Sequence, residues 1–174
     1  MTPGGSAPLQ QLEADRMVAE PKRYAPPTAY VFPAPGGRLI IPAVSMDGRR
    51  DYIFDIGRRR IRLERVSYQL RARRTDILRR LCLNGKRHTN PDVHPHPGRP
   101  DLQAVQGATM EATHLHIYVE GFEDSWAVPP PDSLVTDRGD VVRTFRAFAR
   151  LCGLAEIPIL SKGLDSFWRP DGGR

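Results

Sequence analysis

Thr113-His114-Leu115-His116-Ile117-Tyr118-Val119-Glu120 alternates with a period of two, the pattern of a half-buried strand. Leu115, Ile117 and Val119 fall on one side and suit a core. His114, His116, Tyr118 and Glu120 fall on the other. Two imidazoles, a phenol and a carboxylate in one row is more chemistry than a solvated strand face needs. All five histidines lie between His88 and His116, so the strand that decides the fold also marks the candidate site.

Working upstream, the chain reads as a run of strands and turns. RLIIPAVSM (38–46) is a strand in which Pro42 signals an edge position or a bulge. Asp47-Gly48 suits a type I′ hairpin turn, and RRDYIFDI (49–56) returns with Tyr52, Phe54 and Ile56 on one face. IRLERVSYQLRAR (61–73) sets Val66, Tyr68, Leu70 and Ala72 against Ser67, Gln69, Arg71 and Arg73, an antiparallel strand with an inside and an outside. Ile61 and Leu63 are out of phase with it, which predicts a bulge near Glu64 or Arg65. TDILRRLCLNGKRH (75–88) reads as another strand. Ile77, Leu81 and Leu83 lie on one face of it, and Leu78, Arg80, Cys82 and Asn84 on the other. Asn84-Gly85 is a further turn dipeptide of the hairpin type.

The 89–112 stretch holds Pro91, Pro95, Pro97 and Pro100 and predicts irregular structure; loops this long in a compact domain tend to be functional or mobile. If Lys86–His88 lies antiparallel to the 113–120 strand, His88 approaches His114 and His116. Downstream, GFED is a turn and SWAVPP a short strand anchored by Trp126. DVVRTFRAFARLCG (140–153) is the best helix in the chain. Asp140 is its N-cap, Gly153 its C′ residue, and Arg143, Arg146 and Arg150 its outer face. At the other end, PLQQLEADRMVAE (8–20) reads as a short helix with Leu9 and Leu12 inward, stopping before Pro21. Proline-rich 22–37 is extended, with Tyr30 and Phe32 as anchors of a short edge strand.

These elements predict an α+β fold: a meandering, twisted antiparallel sheet of six or seven strands packed by a C-terminal helix, with a short N-terminal helix at one side. Residues 1–8 form a disordered tail, 9–160 a single domain, and 161–174 a polar tail in which Phe167 and Trp168 act as a hydrophobic latch. No apolar run is long enough to span a bilayer and no secretory signal opens the chain, so the expectation is a cytoplasmic protein without a membrane partner. Cys82 and Cys152, the only cysteines, read as free, core thiols.

The net charge is +6, and it is concentrated. From Arg49 to Arg80 there are twelve arginines against Asp51, Asp55, Glu64 and Asp76, a local +8, while the rest of the chain sums to −2. Such a patch attracts RNA or another polyanion. Arginine for lysine through codon bias accounts for it equally well.

Three chemical readings compete at the histidine row. In the first, His114 and His116 are a metal-free acid/base pair, with His88, Tyr118 and Glu120 beside them and Arg71, Arg73 and Arg80 holding phosphate. These are the parts needed to cleave RNA at its own 2′-hydroxyl, with no cofactor. In the second, a divalent metal is held by the HxH pair, with His88, His94, His96 or Asp92 completing the shell. The third is a binding surface without turnover. Against all three stands a plain solvated strand face, with Asn90-Pro91-Asp92 a simple turn.

The ordered set FDIGRRRIRLERVSYQLRAR, ILRRLCLNGKRHTNPD and THLHIYVEGFEDSWAVP resembles an uncharacterised bacterial and phage-borne family with a His-Thr-Asn-Pro-like turn and an HLHIY-type strand, over about Val31 to Leu151. There is a weaker similarity to TumE-like toxins of toxin–antitoxin systems, in which Arg80, His88, His114 and His116 would be the matching positions; the loop from Asn90 to Ala112 departs from that pattern. The TumE similarity implies an RNA-directed toxin, and the closer family an unassigned protein of mobile or defence-associated DNA. Together with the first reading of the histidine row, the expectation is an RNA-directed toxin or phage-defence protein, a metal-independent ribonuclease, with an acidic antitoxin as its partner. The alternative is a non-enzymatic binding or regulatory protein of mobile DNA.

Overall fold

A computed structural model describes residues 7–26, 29–62, 64–135 and 140–162. The residues outside it include most of the expected tails, the latch residues Phe167 and Trp168, and Leu63 of the expected bulge. In chain order the elements are α1 (Gln11–Ala19), β1 (Lys22–Tyr24), β2 (Ala29–Val31), β3 (Arg38–Ser45), β4 (Asp51–Arg58), β5 (Val66–Ala72), β6 (Asp76–Leu83), β7 (His88–Thr89), a 3-10 turn (Pro100–Val105), β8 (Thr109–Met110), β9 (His114–Val119), β10 (Glu123–Val128), α2 (Asp132–Val135), α3 (Val141–Leu151) and β11 (Ile159–Ser161). The fold is α+β. Seven strands form one antiparallel sheet in the order β1-β3-β4-β5-β6-β9-β10. β2 pairs in parallel with β11, and β7 with β8 antiparallel.

The alternation of β5 is realised: Val66, Tyr68, Leu70 and Ala72 are buried, and the residues between them are half-buried. Tyr52, Phe54 and Ile56 of β4 join them in the core. α3 covers this side. Its Phe145 and Phe148 rings sit 5.9 and 6.1 Å from the Tyr68 ring, whose hydroxyl donates to Val141 O at 2.7 Å. Each of these three side chains is fully buried, worth about 1.5–3 kcal/mol apiece. Asp140 caps α3 as expected, accepting from the amides of Val142 and Arg143. Gly153 follows with φ +80°.

Several local expectations are corrected. In α1 the buried residues are Gln11, Ala14, Met17 and Val18, while Leu12 is 62% exposed. Asp47 keeps a negative φ and only Gly48 turns positive, so the β3–β4 connection is not a type I′ turn. A register shift falls between Leu70 and Arg71 opposite β6: Leu70 faces Arg79 and Arg71 faces Ile77, leaving Leu78 as the extra residue. The alternation therefore breaks there, and Leu78 instead of Ile77 joins Leu81 and Leu83 in the core, fully buried. Asn84-Gly85 does not close a hairpin, because β6 pairs directly with β9 and the chain between them folds back over both.

One buried cation joins the two ends of the chain. Lys22 Nζ donates to Val18 O, Glu20 O and Cys152 O at 3.1, 2.8 and 2.9 Å, which are terminal carbonyls of α1 and α3. Helix C-termini carry partial negative charge and unpaired carbonyls, so an ammonium is a fitting plug. Burial pushes this lysine down to about 8.

Candidate histidine and cysteine site

The β6–β9 register builds the site. Arg80 lies opposite His116 and Cys82 opposite His114, so the four side chains share the sheet face turned away from α3. Cross-strand neighbours on one face are about 4.5–5.5 Å apart. His88 arrives from above. It belongs to the small β7–β8 pair (His88 opposite Met110), which the chain lays over the β9–β10 end of the sheet. This cover, together with the N-terminal segment over Tyr118, leaves every residue of β9 buried where alternation predicts one open face.

What holds the cover down is Asn90. β10 is the edge strand, and its Ala127 would present an unpaired amide and carbonyl. The Asn90 carboxamide takes both: Ala127 N donates to Oδ1 at 2.8 Å, and Nδ2 donates to Ala127 O at 2.8 Å and to Val105 O at 3.0 Å. A side chain thus stands in for an eighth strand over one residue, and His88 is fixed two positions earlier.

The three rings form a closed triangle. Centroids are 4.7 Å apart for His114–His116, 4.6 Å for His88–His116 and 5.7 Å for His88–His114. His114 Nδ1 lies 2.6 Å from Glu111 O and His116 Nδ1 2.8 Å from Asp124 O. A carbonyl only accepts, so both Nδ1 atoms carry the proton and both Nε2 atoms are bare in the neutral rings. These Nε2 atoms face each other at 3.0 Å. His88 Nε2 is 2.8 Å from Ser125 O. Burial holds His114 below its ordinary value, and burial together with the Arg80 guanidinium pushes His116 down to about 3. His114 is 2% and His116 4% exposed, so His116 is neutral at physiological pH and is no general acid there.

The other expected site residues are employed elsewhere. Tyr118 OH donates to Leu9 O at 2.7 Å, and Glu120 Oε2 accepts the Gln11 amide at the start of α1 at 2.8 Å. Both dock the N-terminal segment, and neither joins His88, His114 and His116. Arg71 and Arg38 share the buried Asp55 carboxylate at 2.6 and 2.8 Å. Arg73 pairs with Glu13 at 3.1 Å and bonds Ala7 O. Arg80 stays at the site but is paired with Asp124 at 2.9 Å. His94 bonds Gln103, and His96 approaches Glu120 at 3.5 Å, away from the triangle. Asp92 accepts from Gln106.

Two features escaped the sequence reading. Cys82 faces His114 instead of the core, and burial raises its thiol above the ordinary range. Its phase between buried Leu81 and Leu83 was the available signal. The second is the β4–β5 loop, whose arginines belong to the +8 window but are not singled out there as phosphate ligands. Arg59, Arg60 and Arg62 are exposed and Arg65 half-buried, and among the described residues none of the four has a carboxylate partner. Asn84 ties this loop to the site. Its Nδ2 donates to Glu64 O and its amide to Thr113 Oγ1, both at 3.1 Å, one residue from His114.

Residues 9–154 match the model of a family described as a family of unknown function, DUF6978, and the chain belongs to that family. No curated protein and no solved structure matches it. No helix among the described residues is long and apolar enough to cross a membrane.

Proposed function

We propose that this protein acts on RNA, holding phosphates with Arg59, Arg60, Arg62 and Arg65 of the β4–β5 loop and cleaving the strand at the adjoining histidine cluster, in a toxin or phage-defence role. The observation that supports it is the juxtaposition just described: four arginines without carboxylate partners on a loop tied through Asn84 to Thr113, beside His114. Arg59 is near enough for its charge to act on the Cys82 thiol. Arginine forks match phosphate oxygens, and such contacts give affinity without sequence preference. The phosphate-holding role therefore passes from Arg71 and Arg73 to Arg59, Arg60, Arg62 and Arg65. Of the three histidines, His88 is the half-buried one and the one within reach of a bound strand. Its role is to exchange a proton with the attacking or leaving oxygen.

The test uses purified protein and total RNA at several salt concentrations, with Arg59→Glu/Arg62→Glu and His88→Ala variants. The expected result is cleavage by the parent chain, weaker and less salt-sensitive binding by the double variant, and binding without cleavage by His88→Ala. The burial of His114 and His116 favours a second reading, a non-enzymatic RNA-binding protein. Salt-dependent binding with no cleavage by the parent chain selects it. No binding at all refutes both.

A further inference from the structure

We propose that Cys82 Sγ, His114 Nε2 and His116 Nε2 form a binding site for a divalent transition metal of the zinc type. The inference goes beyond the RNA reading and does not need it, since it stands on donor geometry alone.

The three donor atoms lie within 4.8 Å of one another. Strand pairing puts them there: Cys82 is opposite His114, and His116 follows two residues along the same face. Two bare imidazole nitrogens face each other at 3.0 Å. No hydrogen bond joins two lone pairs, so in a buried site this arrangement calls for a cation between them. A tetrahedral centre with metal–nitrogen bonds of about 2.0–2.1 Å has nitrogen–nitrogen edges of about 3.3 Å. The pair is therefore within a few tenths of an ångström of the spacing such an ion imposes.

The surroundings have the form that metal-ligating histidines take. Each ring gives its Nδ1 proton to a fixed backbone carbonyl, Glu111 O or Asp124 O, which sets the tautomer and aims Nε2 at the ion. Glu111 and Asp124 lie on opposite sides of the β9 strand in sequence, so the two rings are clamped from separate segments. One thiolate and two imidazoles select zinc, cobalt or ferrous iron over magnesium or calcium. Binding displaces the Cys82 proton to solvent and leaves the thiolate on the metal. Asp124 keeps the neighbouring Arg80 charge paired, which limits repulsion of the incoming ion.

Three protein donors leave a fourth position, as catalytic sites do. The His88 ring, 4.6 Å from that of His116, stands beside the three donors, with its Nε2 engaged by Ser125 O.

The experiment is metal analysis of untagged full-length protein, followed by cobalt(II) titration of the chelator-stripped chain. One ion per chain and a thiolate-to-cobalt charge-transfer band are expected. Cys82→Ser should lose that band and weaken binding by at least the ~10–100-fold typical of losing a supporting contact. Circular dichroism checks that the variant is folded. X-ray absorption on the zinc-loaded parent chain gives a readout free of any variant, and should show one sulfur at about 2.3 Å with nitrogen neighbours at about 2.0–2.1 Å. Failure to bind an ion stoichiometrically, a first shell without sulfur, or unchanged affinity in folded Cys82→Ser overturns the proposal. RNA cleavage enters none of these readouts, so either inference can fall while the other stands.

Discussion

Replacing Asn90 by alanine should cost more than its place in a proline-rich loop suggests. Asn90 is 3% exposed, and its carboxamide bonds both backbone groups of Ala127, itself fully buried. Truncation leaves that amide and carbonyl without partners. Each buried unsatisfied group costs about 1–3 kcal/mol. The third contact, to Val105 O, adds less, because Val105 is only half-buried and water can replace it. The expected loss is about 3 kcal/mol. With a urea dependence of about 1–3 kcal/mol/M, the unfolding midpoint should drop by roughly 1.5 M, read by circular dichroism. Asn90→Asp is the sharper control. It is nearly isosteric and keeps an acceptor for the Ala127 amide, but it turns oxygen toward two carbonyls. Near neutral pH it should be no better than alanine. A loss under about 1 kcal/mol in Asn90→Ala, or full tolerance of aspartate, would refute the idea that this side chain seals the sheet edge.

Two further outcomes follow from the charges. His116 is held down to about 3 in the folded chain against an ordinary 6.5, so between those values the unfolded chain takes up a proton that the folded chain refuses. Stability of metal-stripped protein is then complete above pH 6.5 and falls as pH drops, by up to about 1.4 kcal/mol per pH unit, and by more where His114 contributes. Urea midpoints at pH 7, 6 and 5 that do not change would contradict this. Arg71→Ala breaks a bidentate contact to a carboxylate that is 2% exposed and should cost about 3 kcal/mol. It should leave RNA affinity unchanged, and a drop in affinity with unchanged stability would reverse the assignment.

How much the sequence revealed depends on how many surfaces each residue serves. β5 has one core face and one open face, so period-two alternation named its buried residues directly. β9 kept the same alternation, yet a second layer laid over it buried both faces, and no local pattern carries that information. The HxH spacing marked the site because strand geometry alone aligns residues two apart. Cys82 was read as core because Leu81 and Leu83 flank it, although its phase put it on the histidine side. Leu78 went to the core through a bulge that depends on pairing between two strands. Tyr118 and Glu120 were grouped with the histidines by phase, but the N-terminal segment claims both. The local +8 described composition correctly while hiding that Asp55 and Glu13 had already neutralised the arginines expected to bind phosphate.

The lysine plug has a consequence for how the chain is made. Lys22 emerges early in synthesis, but its Cys152 partner lies 130 residues later. β2 likewise waits for β11, with Leu160 opposite Tyr30. A nascent chain stalled before α3 therefore carries an ammonium held by the α1 carbonyls of Val18 and Glu20 but lacking that of Cys152, beside a sheet whose Tyr68 face is uncovered. Closure joins the first and last elements in one step, with the slow folding that such distant contacts bring. Until α3 docks, the apolar face of the sheet is a client surface for chaperones.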